Sequence, residues 1–278
     1  MSSTAATQSD CVVVGASFAG LACATALARA GMRVIVLERK ADVGEKLHTT
    51  GIIVKDAVDQ IALLDGLPPA IVRRIEGVRL YAPGLRHVDL SAPGYYFLAT
   101  DTPALMRWLA ARAVEAGAII AHQTSFVAAQ RTQSGFDLGD AGATRFIVGA
   151  DGPNSRVAQA LGLGRNGKFL FGVEHEYAGN ELAEPNRLHC FIDRRLAPGY
   201  IGWIVAGVGS VQVGLAGRVQ SGRLTATEAM GPFLDKISRI ADFRRAKPVS
   251  IRAGMIPCGG VVRPVATRRA RATAPITW

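Results

Sequence analysis

The N-terminal part of the chain alternates between uncharged apolar runs and short breaks. Residues 11–14 form a continuous apolar run rich in β-branched side chains, which predicts a strand buried on both faces of a parallel sheet. After a turn at residues 15–20, an Ala- and Leu-rich stretch follows, and Gly31 is a suitable stop for a helix. Residues 33–37 (RVIVL) predict a second buried strand, which ends at Glu38. The pattern therefore predicts a complete βαβ unit.

The turn after the first predicted strand has the composition of a dinucleotide-binding loop. A pyrophosphate binds to free N–H groups at a helix start, and glycine lets the backbone approach it closely. Glu38, 23 residues after Gly15, is placed to accept hydrogen bonds from ribose hydroxyls. Ser17 replaces the usual middle glycine, and Ala19 excludes the Gly-x-Ser-x-Gly turn of serine hydrolases. The predicted cofactor-binding residues here are Gly15, Ala16, Ser17, Phe18, Ala19, Gly20 and Glu38.

Further along the chain, helical and strand patterns continue to alternate. Residues 103–116 have one apolar face and begin with a proline, which predicts a helix. Residues 118–121, 125–129 and 145–150 predict short strands. From residue 168 to 217 apolar and polar positions alternate, which predicts an antiparallel sheet with one face covered.

Composition and charge narrow the class of protein. Hydrophobic residues make up 49% and charged residues 19%, which is typical of a globular protein. The net charge of +10 is concentrated at residues 239–278, which contain nine basic residues and one acidic residue. No aromatic interleaving or known binding module accompanies this charge, so we expect no nucleic-acid partner. Residues 11–28 are uncharged, but the turn inside them favours a buried strand and helix over a transmembrane segment.

The cysteines and histidines form no pattern typical of a disulfide framework or a metal site. The four cysteines include no Cys-x-x-Cys pair, which favours a reducing compartment, and we expect a cytoplasmic protein. We therefore predict no metal site and nominate no catalytic acid, base or nucleophile. The histidines, which show no ligand spacing, are His48, His87, His122, His175 and His189.

Three further segments resemble those of a known class of flavoproteins. Residues 38–46 (ERKADVGEK) look like that class's second turn, and residues 148–156 (VGADGPNSR) are similar to its Gly-Ala-Asp-Gly-x-x-Ser motif. Residues 197–203 (APGYIGW) and 211–215 (VQVGL) resemble its substrate-domain strands. Together with the βαβ unit, these segments resemble the FAD-dependent class that includes p-hydroxybenzoate-type hydroxylases, tryptophan halogenases and geranylgeranyl reductases.

This resemblance implies an α/β fold, with a Rossmann-like FAD-binding domain and an inserted antiparallel-sheet substrate domain. The implied division is a disordered lead-in at 1–9, the FAD-binding domain at 10–165, the substrate domain at 166–252, and a return to the first domain at 253–278. FAD is the implied cofactor, and NAD(P)H is a candidate electron donor. Besides the first loop and Glu38, the implied cofactor contacts are Arg39 and Lys46 near the phosphates, Val127 near the adenine, Asp151 and Gly152.

Two features depart from the class. Thr102 stands where many members have an arginine before a helix, which removes one expected flavin contact. The second flavin motif of the class, Gly-Asp-Ala-Ala, is expected after residues 254–257, but an arginine-rich stretch begins at Arg263 instead. We therefore expect a truncated or divergent C-terminal segment and weakened FAD binding.

The sequence leaves three functions open. One is an FAD-dependent reductase of prenyl or other unsaturated lipid chains, and another is a flavin hydroxylase. Both act on an apolar or aromatic small molecule, and peripheral contact with a membrane fits such a substrate. The third is an inactive remnant with weak or no FAD binding.

Overall fold

The computed structural model describes residues 9–218, 225–260 and 262–265. Within these ranges the α-helices are α1 (Phe18–Arg29), α2 (Lys55–Gln60), α3 (Thr102–Glu115), α4 (Arg156–Leu161) and α5 (Ala226–Ile237). The strands are β1 (Ser9–Val14), β2 (Val34–Leu37), β3 (Ile52–Val54), β4 (Val72–Ile75), β5 (Gly77–Tyr81), β6 (His87–Leu90), β7 (Phe97–Thr100), β8 (Ile119–Ala121), β9 (Gln130–Arg131), β10 (Phe136–Asp137), β11 (Ala143–Gly149), β12 (Phe169–Ala178), β13 (Arg187–Phe191), β14 (Gly202–Ala206), β15 (Ser210–Arg218) and β16 (Ser250–Pro257). Short 3₁₀ helices lie at Ala62–Leu64, Pro69–Ile71 and Gly139–Ala141.

The first sheet has the strand order β8-β2-β1-β11-β10-β9, and its first four strands run parallel. β1 is buried on both faces, because α1 and α3 cover one face while Phe126 and Val157 pack on the other. Val14 of β1 pairs with Leu37 of β2 and with Gly149 of β11. The carboxyl ends of three parallel strands therefore meet at one edge, where open α/β sheets bind ligands.

The predicted βαβ unit is confirmed, with small shifts at its boundaries. β1 already begins at Ser9, so this residue of the predicted lead-in belongs to the sheet, whereas residues 1–8 lie outside the described part of the chain. α1 starts only at Phe18, after the loop. The predicted helix at 103–116 is α3, and the predicted strand at 145–150 is β11.

The strand predicted at residues 125–129 is wrong. This stretch has no regular secondary structure, and the short hairpin of β9 and β10 follows it. Phe126 is buried against β1 and α4, whereas Val127 is 84% exposed. Of the apolar residues in this stretch, Phe126 anchors the chain to the core. They do not form the buried face of a strand.

The second sheet has the order β16-β12-β15-β14-β13-β5-β6 and is antiparallel except between β13 and β5. α5 covers one face, with Phe233 in the core. On the other face, Trp203 and Ala216 pack against Ile75 and Ala99 of the small sheet β3-β7-β4. The antiparallel sheet is confirmed, but the prediction that only one face is covered is wrong, since β14 is buried at every position.

The seven-stranded sheet takes strands from separate parts of the chain. β5 and β6 come from before the predicted substrate domain, and β16 continues to Pro257. Beyond β16 the chain returns to the first domain, where the N–H of Gly164 donates to the carbonyl of Arg263 at 3.0 Å. The domain boundaries given above stay a prediction, and most of the expected divergent tail, at 266–278, lies outside the described residues.

We expect Gly20→Ala to destabilise this fold strongly. A Cβ at position 20 would lie 1.9 Å from the carbonyl oxygen of Gly15, so α1 would have to move away from β1. Overpacking of this kind should lower the free energy of unfolding by about 3 kcal/mol. Urea denaturation of the variant and the unmodified chain measures this difference. The matched control is Gly231→Ala in α5, where a Cβ meets no atom within 4 Å. The control should leave stability unchanged or raise it by about 0.5–1 kcal/mol, and equal stability of the two variants would contradict the close approach.

Candidate functional site

Ser17 is the N-cap of helix α1 and ties it to the neighbouring strand. Its Oγ accepts the N–H of Gly20 at 3.1 Å and donates to the carbonyl oxygen of Ala150 at 3.0 Å. The serine that replaces the middle glycine therefore has a structural role. Gly15 has φ +99°, and a Cβ there would lie 2.5 Å from the Ala150 oxygen, so glycine is required at that position.

The first turn of α1 has the features of an anion-binding site. The N–H groups of Phe18 and Ala19 lie where an α-helix has no carbonyl acceptor of its own to offer them. This turn contains no acidic residue. The free N–H groups and the positive end of the helix dipole therefore favour a phosphate at this edge of the sheet.

Glu38 lies at the end of β2 and is 5% exposed. One carboxylate oxygen accepts the N–H of Ala16 at 2.9 Å, and the other accepts the N–H of Lys40 at 2.9 Å. Each oxygen of an ionised carboxylate has a second lone pair, so both can still accept a hydroxyl. Glu38 therefore holds the loop in place, and its predicted ribose contact stays a prediction.

The second turn, residues 39–46, is held together by Lys40. Its Nζ donates to the carbonyls of Val43 at 3.0 Å and Glu45 at 2.9 Å. The side chains of Arg39 and Lys46 are exposed. Both residues thus place positive charge beside the loop, and their predicted contact with cofactor phosphates stays a prediction.

Asp151 caps the start of α4. One of its oxygens accepts the hydroxyl of Ser155 at 2.5 Å, and the other accepts the N–H of Arg156 at 2.7 Å. Gly152 follows with φ +91° and open space beside it. The carboxylate of Asp151 is directed at α4, so cofactor contacts of Asp151, Gly152 and the exposed Val127 stay predictions.

The ADP part of FAD fits the observed donors and acceptors. We call residues 15–20, Glu38 and Ala150 the cradle, because the bonds from Ser17 to Ala150 and from Ala16 to Glu38 join them directly. The cradle offers N–H groups to a pyrophosphate and a buried carboxylate to a ribose.

A cavity of about 370 Å³ lies between the segment at 48–52 and the seven-stranded sheet. Its lining includes side chains of β12, β14 and β16. Most of its wall is apolar or aromatic, which is typical of a site for a small organic ligand. The apolar and aromatic lining residues include Ile52, Leu188, Tyr200, Ile201, Trp203 and Ile256.

Arg252 of β16 carries a buried charge at this cavity. Its Nη2 pairs with Oε1 of Glu176 at 2.7 Å, and Nη1 donates to the carbonyl of Thr49 at 3.0 Å. Nη1 also lies 3.5 Å from the hydroxyl of Thr102. The chain has Thr102 at the position of the expected arginine, and the guanidinium of Arg252 reaches this threonine from the seven-stranded sheet.

Glu174 of β12 lies in the cavity wall and is 3% exposed. Its Oε2 accepts the indole N–H of Trp203 at 3.0 Å, while Oε1 is 3.6 Å from Nη1 of Arg252. Within the described residues Oε1 has no hydrogen-bond partner. Burial raises the pKa of Glu174 to about 7, although the Trp203 hydrogen bond and the Arg252 charge both act to lower it.

The sequence reasoning missed this group, in which Glu174 and Arg252 are buried and Glu176 is partly buried. The available indication was the pair of acidic residues two positions apart in the apolar run 169–178, which puts both on one face of a strand. Of the histidines, His48 lines the same cavity, and its Nδ1 lies 2.6 Å from the carbonyl oxygen of Ala253. Among the described residues, no group of three or more His, Cys, Asp and Glu side chains is arranged to hold a metal, and no helix has the length and apolar character to cross a membrane.

We expect Glu174→Gln to gain stability relative to the unmodified chain as the pH rises. The folded carboxyl has a pKa of about 7 against an ordinary value of 4.5, so folding takes up a proton between these two values and the unmodified chain loses stability across that window. Glutamine cannot ionise and avoids this loss. Urea denaturation at about pH 5 and about pH 8 measures the effect. Glu181→Gln, at an exposed position, is the control, and a pH-independent stability difference for Glu174→Gln would contradict the raised pKa.

Comparisons with known proteins identify the family to which this chain belongs. A family model described as an FAD binding domain matches residues 8–214. Digeranylgeranylglycerophospholipid reductase 2 of Methanopyrus kandleri is 30% identical over 272 residues, an alignment that covers 91% of this chain and 67% of that enzyme. The chain thus spans about two thirds of the length of this relative.

Solved structures show the same fold. A geranylgeranyl bacteriochlorophyll reductase-like protein from Thermoplasma acidophilum superimposes with a TM-score of 0.79 at 16% identity, covering 93% of this chain and 68% of that one. A flavin-dependent brominase gives a TM-score of 0.71 at 13% identity, covering 89% and 68%. The family match extends over most of the chain, and the fold agrees with it. This chain therefore belongs to the FAD binding domain family of flavoproteins.

Proposed function

We propose that this protein is an FAD-dependent reductase of carbon–carbon double bonds in apolar, isoprenoid-type lipids. The observation that carries the proposal is the cavity of about 370 Å³ between the segment at 48–52 and the seven-stranded sheet, whose wall is mostly apolar. The similarity to a digeranylgeranylglycerophospholipid reductase supports this substrate class.

In this proposal the cradle holds the ADP part of FAD. The first turn of α1 binds the pyrophosphate, Glu38 accepts the ribose hydroxyls, and the exposed Arg39 and Lys46 balance the phosphate charge. The backbone near Val127 borders the adenine. Asp151 and Gly152 form the turn after β11, and we propose that this turn also contacts the cofactor.

FAD supplies the redox chemistry when bound, with NAD(P)H as the proposed electron donor. The chain's own residues bind, orient and shield the substrate. The apolar side chains of the cavity hold the unsaturated chain and exclude water, and Arg252 fixes the segment at 48–52 against the sheet. A lipid substrate of this kind is reached from a membrane surface, so we propose a cytoplasmic protein that contacts membranes peripherally.

An FAD-dependent hydroxylase of an aromatic small molecule is the second candidate. The observation in its favour is the pair of aromatic residues, Trp203 and Tyr200, in the cavity lining, since stacking on such rings favours a planar substrate. The hydroxylase would use the same cradle for FAD. The two functions therefore differ only in the product that is formed from the substrate.

Turnover without oxygen distinguishes these candidates. We expect the purified protein to consume NAD(P)H anaerobically in the presence of a geranylgeranylated glycerolipid, and mass spectrometry should show hydrogen added to the prenyl chains. An oxygen-dependent product with a new hydroxyl group would instead support the hydroxylase. Absence of any flavin-dependent turnover in protein that binds FAD would overturn both.

We expect Glu38→Ala to weaken FAD binding about tenfold or more, because the ribose loses its acceptor and the N–H of Ala16 loses its partner. Retained flavin absorbance and the FAD dissociation constant, measured by titration of the apoprotein, give the result. Glu38→Gln keeps one acceptor oxygen, so its FAD affinity should lie between that of the unmodified chain and that of Glu38→Ala. Glu115→Ala, at an exposed position on α3, is the control. Unchanged FAD affinity in a folded Glu38→Ala protein would remove Glu38 from the cofactor site.

A further inference from the structure

The face of the seven-stranded sheet that lines the cavity continues as far as the edge strand β6. Residues paired directly across neighbouring strands have their side chains on the same face of a sheet. Trp203 of β14, in the cavity wall, pairs with Cys190 of β13. Cys190 in turn pairs with Leu80 of β5, and Leu80 pairs with Val88 of β6. One apolar row therefore crosses the sheet from the cavity to its edge, over three strand spacings or roughly 14 Å.

The outer end of this row is exposed. Val88 is 56% exposed, and Ile192, which directly follows β13, is 47% exposed. Both line an open hollow of about 420 Å³ at the tip of the hairpin formed by β5 and β6. Tyr200, an exposed residue of the cavity lining, lies at the same end of the sheet, because Phe191 pairs with Gly202. Exposed apolar and aromatic side chains thus share one end of the sheet.

Three exposed arginines accompany these side chains. One of them lines the hollow, and the other two follow Ile192 in the chain. They are Arg86, Arg194 and Arg195. Within the segments 82–88 and 192–200 the only acidic residue is Asp193, and its carboxylate is paired with Lys236. This end of the sheet therefore has a net positive charge beside its apolar side chains.

An anionic lipid bilayer fits this combination better than a second copy of the chain does. In a symmetric dimer the same surface of two copies would meet, so the arginines of one copy would face those of the other. A bilayer instead offers phosphates to the arginines and hydrocarbon to Val88 and Ile192. Tyrosine, like Tyr200 here, is enriched at the boundary between the two.

We propose that this end of the sheet docks the protein on an anionic lipid bilayer. We call it the docking edge, and its residues are Arg86, Val88, Ile192, Arg194, Arg195 and Tyr200. Docking here holds the cavity wall at Trp203 within roughly 14 Å of the lipid contact at Val88. This choice of partner rests on the proposed function, in which the substrate is a lipid reached from a membrane surface.

Sedimentation with vesicles tests the docking edge in the full chain. The vesicles contain phosphatidylcholine, either alone or mixed with phosphatidylglycerol, at low salt. We expect the chain to bind the mixed vesicles, and Val88→Asp to bind them about tenfold more weakly, because a carboxylate then replaces an apolar contact. Ile251→Asp, at an exposed apolar position in the opposite edge strand β16, is the matched control and should bind as the unmodified chain does. Undiminished binding by a folded Val88→Asp protein would overturn the proposal.

Arginine variants separate the docking edge from general attraction to a basic chain. The net charge of +10 attracts anionic vesicles wherever the basic residues lie. Arg86→Gln should weaken binding to the mixed vesicles about fivefold, because it removes a cation from the docked surface. Arg245→Gln removes the same charge at an exposed position outside the docking edge and should change binding little. Equal losses in the two variants would contradict docking through this edge.

Size-exclusion chromatography of the same proteins tests the other occupant. A dimer of the unmodified chain that Val88→Asp dissociates would assign this surface to a second copy and overturn the proposal. A mass that Val88→Asp leaves unchanged supports the bilayer.

FAD content and turnover keep this result distinct from the proposed function. Val88→Asp should retain FAD and reduce lipid dispersed in detergent, yet lose turnover of lipid in vesicles. A chain that needs Val88 to bind vesicles but reduces no lipid supports the docking edge and contradicts the reductase. A chain that reduces lipid in detergent but binds vesicles equally well without Val88 overturns the docking edge and leaves the reductase standing.

Discussion

The start of helix α1 lies so close to the ends of β1 and β11 that the chain has no room for a side chain at Gly20 and needs a positive φ at Gly15. Two polar groups hold this contact in place. Ser17 bridges the helix start to Ala150, and Glu38 bridges the loop to the end of β2. These ties use the N–H groups of Ala16 and Gly20, and the N–H groups of Phe18 and Ala19 remain in the first turn of α1 for an anion. The close approach therefore positions the cofactor site.

A second buried contact joins the segment at 48–52 and the start of α3 to the seven-stranded sheet. Arg252, from β16, donates to the carbonyl of Thr49 and lies beside Thr102 at the start of α3. The guanidinium is balanced by Glu176, and together they fix the segment at 48–52 against the sheet. Beside this contact lies a cavity with mostly apolar walls, and the buried Glu174 forms part of its lining. The cradle and the cavity are thus built from separate groups of residues, and Arg252 ties the segment at 48–52 to the seven-stranded sheet.

The sequence predicted the βαβ unit well because each of its signals is local: a β-branched run, a glycine loop, a helix stop and an acid at a strand end. It failed where packing between distant segments decides the outcome. The apolar residues at 125–129 resembled a strand although only Phe126 is anchored, and β14 is buried on both faces because the small sheet β3-β7-β4 packs on it. The meeting of Glu174 with Arg252 joins residues far apart in the chain, and no local pattern contains that information.

Binding of ADP to the purified, flavin-free chain tests the central claim most directly, because ADP reaches only the cradle and is independent of the cavity. Calorimetric titration should show one ADP bound per chain, released by FAD and weakened in Glu38→Ala. If the folded protein bound no ADP, or bound it equally well without the carboxylate of Glu38, the cradle would not be a dinucleotide site.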